Sequence, residues 1–476
     1  MKHSILLFII LIFSQNLAAQ SSLFGMTEAG GAGQGTIFKT DQNGNNHMIV
    51  YNQFLPTGSL PGTIPVGSLI KAKNGKLYGM TGHSGKHGTG VIFEYDLVVN
   101  KYTKKIDINT PDGAYPKGSL MEATNNKLYG MTWAGGANNR GVIFEYDYSA
   151  NIYTKKIDLS NELGTYPTGS LIQGKNGKLY GMTSGGSGGV IFEYDFITNL
   201  YTKKIQLSSI GASSPNGSLL QANNGKLYGM TSTGGKIGLG VLFEYDYNTN
   251  IIKKLFDMDN INGAKPEGSL IQANNGKIYG MTRDGGISDD GVIFEYNLDK
   301  NQYIKLIDLN DEIGTNPTGT LMQASNGKLY GMTSQGGQGS IIIGGGVLFE
   351  YEIEKNTFIK KISFTGNNGQ IPTSGSLIEV KIPVQSKDLN YYNYSIKLLP
   401  NPATNSVLVE AKSSFNSFQI LDINQKIIQD KVWRKNEMNK INVENLPAGI
   451  YFVKFYNFNN QLMGYEKLVI QKWKYG

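Results

Sequence analysis

An aromatic-Gly-Met-Thr phrase recurs seven times along the chain, led by Phe24, Tyr78, Tyr129, Tyr180, Tyr228, Tyr279 and Tyr330. Met26 and Met332 lie 306 residues apart, so the six intervals average 51 residues. A repeat of that length is one supersecondary unit that cannot bury its own apolar faces, so neighbouring copies must stack. An array follows from this spacing alone.

The unit over residues 118–159 divides into four segments. Gly118-Ser119-Leu120-Met121-Glu122-Ala123 is a short, mostly apolar run that turns at Asn125-Asn126. Other copies turn at Asn74-Gly75, Asn176-Gly177, Asn224-Gly225, Asn275-Gly276 and Asn326-Gly327. Asn-Gly between apolar runs signals a hairpin, because both turn positions take positive φ. Lys127-Leu128-Tyr129-Gly130-Met131-Thr132 follows, then a glycine-rich loop and Gly141-Val142-Ile143-Phe144-Glu145-Tyr146. Tyr153-Thr154-Lys155-Lys156-Ile157-Asp158-Leu159 closes the unit. These are four antiparallel strands, a to d, and no window sustains helical periodicity.

A four-stranded meander of this period matches a β-propeller blade, and seven copies predict a seven-bladed, all-β propeller. A β-helix has shorter coils, and leucine-rich or tetratricopeptide arrays need helices. The array begins at strand b, near Leu23, and finishes with an unaccompanied strand a, Gly375-Ser376-Leu377-Ile378-Glu379-Val380. That strand is expected to complete the first blade and remove the exposed sheet edges.

Lys2 and His3 precede an apolar run over residues 5–13, and Leu17-Ala18-Ala19 supplies small residues for cleavage between Ala19 and Gln20. The expected layout is a signal peptide over 1–19, the propeller over 20–381, a linker over 382–392 and a second β domain over 393–476. No later stretch is apolar and long enough to span a bilayer, so no transmembrane segment is expected in the mature chain. Cysteine is absent, which excludes disulfides and thiolate metal sites. The net charge of +7 comes from 44 Lys+Arg against 37 Asp+Glu. Only Arg140, Arg283 and Arg434 are arginines, and the lysines follow the repeat, which argues against nucleic-acid binding. Paired lysines such as Lys104-Lys105 and Lys155-Lys156 fall on strand d. They suit either a basic rim or, better, protection of an exposed sheet edge.

Gly169-Ser170-Leu171-Ile172, Lys178-Leu179-Tyr180-Gly181-Met182-Thr183 and Gly189-Val190-Ile191-Phe192-Glu193-Tyr194-Asp195 resemble the tandem repeat of the Gloeobacter/Verrucomicrobia type, over roughly residues 21–380. That resemblance implies surface or secreted proteins. A looser similarity to kelch propellers rests on paired glycines such as Gly135-Gly136 and Gly285-Gly286. Leu399-Pro400-Asn401-Pro402-Ala403-Thr404, the run from Leu446 through Gly449 and Tyr451 to Lys454, and Lys467-Leu468-Val469-Ile470 resemble the type A C-terminal sorting domain. The resemblance implies an immunoglobulin-like sandwich that directs cargo through the type IX secretion system of Bacteroidota, whose sortase-like protease then removes it. Gln425, where the family has glycine, and the extension from Trp473 to Gly476 depart from its pattern.

Strand alternation places the b–c and d–a loops on one face, where length and sequence vary and binding is expected. The Phe-Glu-Tyr glutamates recur in six units and read as structural. Trp133, Arg283, Asp284, His83 and Arg140 break the repeat and are the candidate ligand-binding residues. Asp289-Asp290 lacks the spaced oxygens of a calcium loop, and His83 with His87 lacks a third ligand, so no metal or cofactor is expected. No nucleophile elbow, zinc-protease or phosphate-loop motif occurs. Convergence of Glu28, Asp284 and Asp289 for glycoside cleavage stays open. The expected function is a secreted or surface-attached, non-catalytic propeller that binds glycan or protein. A hydrolase or lyase on extracellular polysaccharide and a structural adhesion component are the alternatives.

Overall fold

Strand b is buried through its Leu-Tyr-Gly-Met-Thr stretch, and the glycine in its middle makes room for the strand beside it. In Leu77–His83 the central Gly79 pairs with Phe93, and a Cβ on Gly79 would lie 2.4 Å from the Phe93 ring. Gly130, Gly181, Gly229, Gly280 and Gly331 face Phe144, Phe192, Phe243, Phe294 and Phe349 in the same way. Any side chain there forces overpacking, so a Tyr-Gly-Met-Thr strand can pair only with a phenylalanine-centred one in this register.

The chain is described here by a computed structural model over residues 20–52, 54–55, 61–337, 345–373, 375–382, 397–410, 417–422, 427–432, 440–456 and 462–472. The expected signal segment with Ala19, the linker from residue 383 onward, the insertion at 341–343, Gln425 and residues 473–476 lie outside these residues. Two compact units divide the chain, one of them Gln20–Ile382. Within that unit, six four-stranded antiparallel sheets follow one order, as in Thr63–Lys71, Leu77–His83, Val91–Asp96 and Lys101–Asp107 for strands a to d.

The remaining repeat sheet joins distant segments. Its strand b, Gln20–Ala29, pairs with Thr36–Asp41 on one side and with Ile378–Ile382 on the other. The register is Ser22↔Val380, Leu23↔Glu379 and Phe24↔Ile378. Strand a's leading glycines lie against each other from unit to unit. A Cβ on Gly118 would lie 2.0 Å from the Gly169 carbonyl, and comparable contacts link Gly67, Gly118, Gly169, Gly217, Gly268, Gly319 and Gly375 in succession. Gly375 in turn meets Gly67, at 2.2 Å from such a Cβ. The next residue adds hydrogen bonds along the same path: the Ser68 N–H donates to Ser119 Oγ and the Ser376 N–H to Ser68 Oγ, each at 2.7 Å.

Between strands b and c, one polar network repeats in six units. Tyr78 donates its hydroxyl proton to Glu94 at 2.7 Å, Lys76 Nζ donates to the other carboxylate oxygen at 2.7 Å, and Asn74 Nδ2 donates to the Tyr78 hydroxyl at 2.9 Å. Glu145, Glu193, Glu244, Glu295 and Glu350 take the same partners. Five of the six glutamates are buried, Glu244 is half-buried, and all are hydrogen-bonded, which makes the Phe-Glu-Tyr motif structural. In the first sheet Phe24 and Lys39 stand at the paired Tyr and Glu positions, so both halves of the network change together. A buried carboxylate without its donors would cost several kcal/mol, on the order of 3–5.

Strand d has a single neighbour in each repeat sheet and forms its edge. Its lysines are tied locally: Lys104 to Asp107 at 2.9 Å, Lys155 to Asp158 and Lys254 to Asp257 at 3.0 Å each. Lys361 reaches Glu350 at 3.7 Å. These bonds favour the edge-protecting reading over a free basic rim.

The second unit holds a three-stranded sheet with Lys397–Leu399, Ser406–Glu410 and Lys440–Asn442. A four-stranded sheet contains Ser417–Leu421, Ile427–Val432, Gly449–Tyr456 and Leu462–Ile470. Val407, Val409, Phe418, Ile420, Ile441, Val453 and Leu468 from both sheets share one apolar core.

Burial alone would raise the carboxyl pKa values of Glu94, Glu145, Glu193 and Glu350, but the lysine and tyrosine donors outweigh it and hold them below the ordinary 4.5. A depressed folded value means the contribution is complete above the unfolded pKa and lost as pH falls through the folded one. The urea midpoint is therefore expected to hold from about pH 7 to 5 and to drop below about pH 4.5, with a shallower drop in Glu94→Gln. Denaturation curves across that range check it.

Candidate functional site

The loop between strands d and a carries Gly-x-x-Pro in the units at Pro65, Pro116, Pro167, Pro266, Pro317 and Pro372, and a near copy at Pro215. The residue before each of these prolines has positive φ: Ile64 at 58°, Tyr115 at 53°, Tyr166 at 57°, Ser214 at 53°, Lys265 at 47°, Asn316 at 51° and Ile371 at 52°. Each is held by its own N–H, which donates to the b–c loop of the preceding unit. Tyr115 N–H bonds Thr89 O at 3.0 Å and Tyr166 N–H bonds Arg140 O at 2.9 Å. The proline ring then packs where a glycine has left room: Cβ atoms on Gly90 and Gly141 would lie 2.8 and 2.7 Å from the Cδ atoms of Pro116 and Pro167. For a β-branched residue such as Ile64 this backbone is a true outlier, and each such position costs on the order of 1–3 kcal/mol.

Two further positions per unit lie beside it. One follows the proline: Val66, Lys117, Thr168, Asn216, Glu267, Thr318 and Thr373. The other follows Gly-Met-Thr: Glu28, Gly82, Trp133, Ser184, Ser232, Arg283 and Ser334. Together these three positions form a collar whose backbone is fixed and whose side-chain combination changes from unit to unit. A cavity of about 730 Å³ is lined by the glycine-serine path and by Glu28, Lys117, Thr168, Asn216, Glu267, Thr318 and Ser334. A second cavity of about 410 Å³ adjoins it, sharing Glu28, Lys117 and Gly118 and adding Ile64, Gly82, His83, Tyr115 and Trp133.

The expected residues separate into two groups. Trp133 and His83 line the same cavity. Trp133 stacks on Tyr166 with ring centroids 5.0 Å apart and planes inclined by 28°, yet stays 41% exposed. Arg140 lies over the other ring of that pair, its Cζ 5.2 Å from the Tyr166 centroid and its guanidinium donating to the Tyr166 hydroxyl. Arg140 thus supports the platform from behind. His83 meets Tyr115 edge-on at 5.2 Å, and Tyr115 is 38% exposed.

Arg283 and Asp284 sit apart from that cavity, in an ion-paired cluster. Arg283 Nε donates to Asp284 at 2.8 Å and its Nη1 to Glu267 at 2.5 Å, while Lys265 reaches Asp284 at 2.9 Å. The Arg283 hydrogen bond, with Lys265, holds the Asp284 carboxyl below its ordinary range. Arg283 is raised in turn, chiefly by Asp284. Arg283 and Asp284 belong to a unit three copies beyond Trp133 and do not line the aromatic cavity.

Of the three carboxylates whose convergence the sequence leaves open, Glu28 lines both cavities, and Asp284 and Asp289 line neither. Asp289 accepts the Gly285 N–H at 2.7 Å, and the Asp290 carboxyl is pushed up by burial and by Asp311 and Asp289. Among the described residues no three His, Asp or Glu side chains converge at metal-ligand spacing, and no helix is long and apolar enough to cross a membrane.

In the second unit the three resembling motifs touch. Asn401 Nδ2 donates to Lys467 O at 2.5 Å and its Oδ1 accepts from Val469 N at 2.8 Å. Pro400 and Pro402 flank that residue. Gly449 pairs with Ile470 and Tyr451 with Leu468, while the Tyr451 hydroxyl donates to Pro447 O at 3.1 Å.

Comparison with known proteins agrees with this division. Residues 13–223 and 187–382 match the Gloeobacter/Verrucomicrobia repeat, and residues 397–471 match the secretion system C-terminal sorting domain. No curated protein matches the chain. Solved structures are propeller-like and alike in fold only. A putative 6-phosphogluconolactonase from Bacteroides fragilis is 13% identical at a TM-score of 0.52, covering 77% of this chain and 99% of its own. PorZ, a surface component of the type IX system of Porphyromonas gingivalis, is 12% identical at 0.44, covering 92% of this chain. TolB from Acinetobacter baumannii is 16% identical at 0.39, covering 60% of this chain. This chain spans less than two thirds of the last two, 63% of each.

The platform yields a direct check. Tyr166→Ala removes the ring behind Trp133, so tryptophan emission is expected to move to longer wavelength. Loss of the stacked pair lowers stability by about 0.5–1.5 kcal/mol beyond lost burial. Fluorescence and urea denaturation of the same variant report both.

Proposed function

The chain belongs to the Gloeobacter/Verrucomicrobia repeat family and carries a type IX C-terminal sorting domain, and from that premise we propose that it is a non-catalytic, ligand-binding propeller delivered outside the cell. The sorting domain marks proteins exported across the outer membrane to the cell surface or extracellular space, and its handling falls to the type IX machinery. In this reading residues 1–19 are a signal peptide, residues 20–381 form seven blades, and the strand Ile378–Ile382 closes the ring by completing the first blade. The glycine path that returns from Gly375 to Gly67 supports closure. Two sheets around one core support an immunoglobulin-like sandwich for residues 393–476.

The observation that carries the binding role is the collar. Seven non-glycine residues hold a strained backbone at equivalent places, although glycine would adopt it freely. Strain kept at every copy while the side chain changes from Ile to Tyr, Ser, Lys and Asn indicates that the side chains themselves are in use. Trp133 and Tyr115, exposed and braced, are the anchors.

Two outcomes test this reading. Ile64→Gly trades relief of about 1–2 kcal/mol of backbone strain against about 0.5–1 kcal/mol of glycine entropy, so stability is expected to change little. Tyr115→Gly with Trp133→Ala is expected to abolish capture seen with the parent chain on glycan arrays and in pull-downs from extracellular extract. Unchanged capture counts against the collar. For export, truncation before residue 397 is expected to leave the protein in the periplasm, and Asn401→Ala to reduce surface delivery by loosening the contact with Lys467 and Val469. Fractionation and surface proteolysis decide, and normal delivery of the truncation overturns the export assignment.

A further inference from the structure

One collar position is vacant. The residue after Gly-Met-Thr bears a side chain in every unit but the second, where it is Gly82. Gly82 has no positive φ to demand glycine, and an added Cβ would approach only Val66 Cγ1 at 3.2 Å and the Ile64 carbonyl at 3.6 Å. Backbone geometry therefore does not account for this glycine. Its effect is to leave space: the cavity of about 410 Å³ opens here, with Trp133 of the next unit on its wall.

The walls specify the occupant. Trp133 stacks on Tyr166; the Tyr115 backbone is held by its N–H bond to Thr89 O at 3.0 Å, and His83 meets its ring edge-on. Both rings are already oriented, so little entropy is lost when a ligand stacks on them. Glu28 and Lys117 line the same cavity with opposite charges. An anionic ligand gains from Lys117 what it loses to Glu28. A wholly apolar ligand offers these charged groups no hydrogen bonds. A pyranose ring offers polarised C–H groups to the negative face of an aromatic ring and hydroxyls that both donate and accept.

We propose that the slot between Gly82 and Trp133 binds one neutral pyranose residue of an extracellular polysaccharide, stacked on Trp133 and hydrogen-bonded by Glu28 and Lys117. The proposal rests on the collar reading above and names its ligand class. Lys117 and Glu28 also line the larger cavity, so the bound residue is continuous with it and the polymer can run from the slot across the collar.

Isothermal titration of the full secreted chain with hexasaccharides of β-1,4-glucan, β-1,3-glucan and β-1,4-mannan, with hexagalacturonate as the acidic counterpart, tests it. At least one neutral hexasaccharide is expected to bind and hexagalacturonate to give no heat. Trp133→Ala is expected to weaken binding by about tenfold, the scale of one lost aromatic contact. Gly82→Leu, which fills the slot and keeps Trp133, is expected to weaken it at least as much with the thermal midpoint unchanged. If Gly82→Leu fails to fold, Trp133→Ala decides. Binding confined to hexagalacturonate, no binding by any neutral probe, or equal affinity in both variants overturns the slot. Lys265→Ala with Asn316→Ala, on the opposite arc of the collar, separates the two readings. If that pair loses binding while the slot variants keep it, the collar stands and the slot falls. If neither set changes binding, both fall.

Discussion

The spacing of the repeat units is set where glycine meets glycine. A Cβ at Gly118 would lie 2.0 Å from the next unit's carbonyl, so the backbones of successive strands a approach as closely as peptide groups can. Everything outward follows from that approach. With their inner strands at this distance, the sheets press the apolar sides of strands b and c into neighbouring units, which gives clusters that draw on two copies each, such as Tyr78, Met80, Leu128, Val142 and Phe144. A larger residue on the path would push the units apart along their whole length, and the buried tyrosine–glutamate pairs would open to water.

The polar network and the strained collar divide one unit between stability and use. At the end of the unit near the Asn-Gly turn, tyrosine, glutamate, lysine and asparagine recur with the same partners, and every buried donor and acceptor there is matched. At the proline end the backbone repeats as strictly, clipped by N–H bonds to the preceding unit and by proline against glycine, but the side chains are released from that role. A fixed backbone with free side chains is what allows one scaffold to vary its contacts without refolding. Arg283 shows the variation at this end: its side chain bonds Asp284 and Glu267 within the fold.

Much of this was legible beforehand because it is local. Strand period, Asn-Gly turns and the Phe-Glu-Tyr motif are written within a few residues of each other, and the four-stranded order follows. The pairing of Leu23 with Glu379 was also legible, because a missing strand at one end and a surplus strand at the other must be reconciled. The collar is not legible in this way, although its Gly-x-x-Pro pattern is present in the sequence. A residue before proline reads as extended, and only coordinates reveal positive φ at seven of them. Arg140 lies over Tyr166 of the next unit, a contact that no spacing within one unit can disclose.

The sequence by itself determined the element type, the four-strand unit, the array and the export domain. Each rests on short-range propensity, on turn chemistry or on counting. Only tertiary structure decided which variable residues share a cavity. Trp133 and His83 are fifty residues apart and meet because successive units stack; Trp133 and Arg283 hold the same position in their own units and fall in different surroundings. A repeat specifies its own interior, but the relation between one copy's loop and the next arises from the rotation between units, a property no single copy encodes.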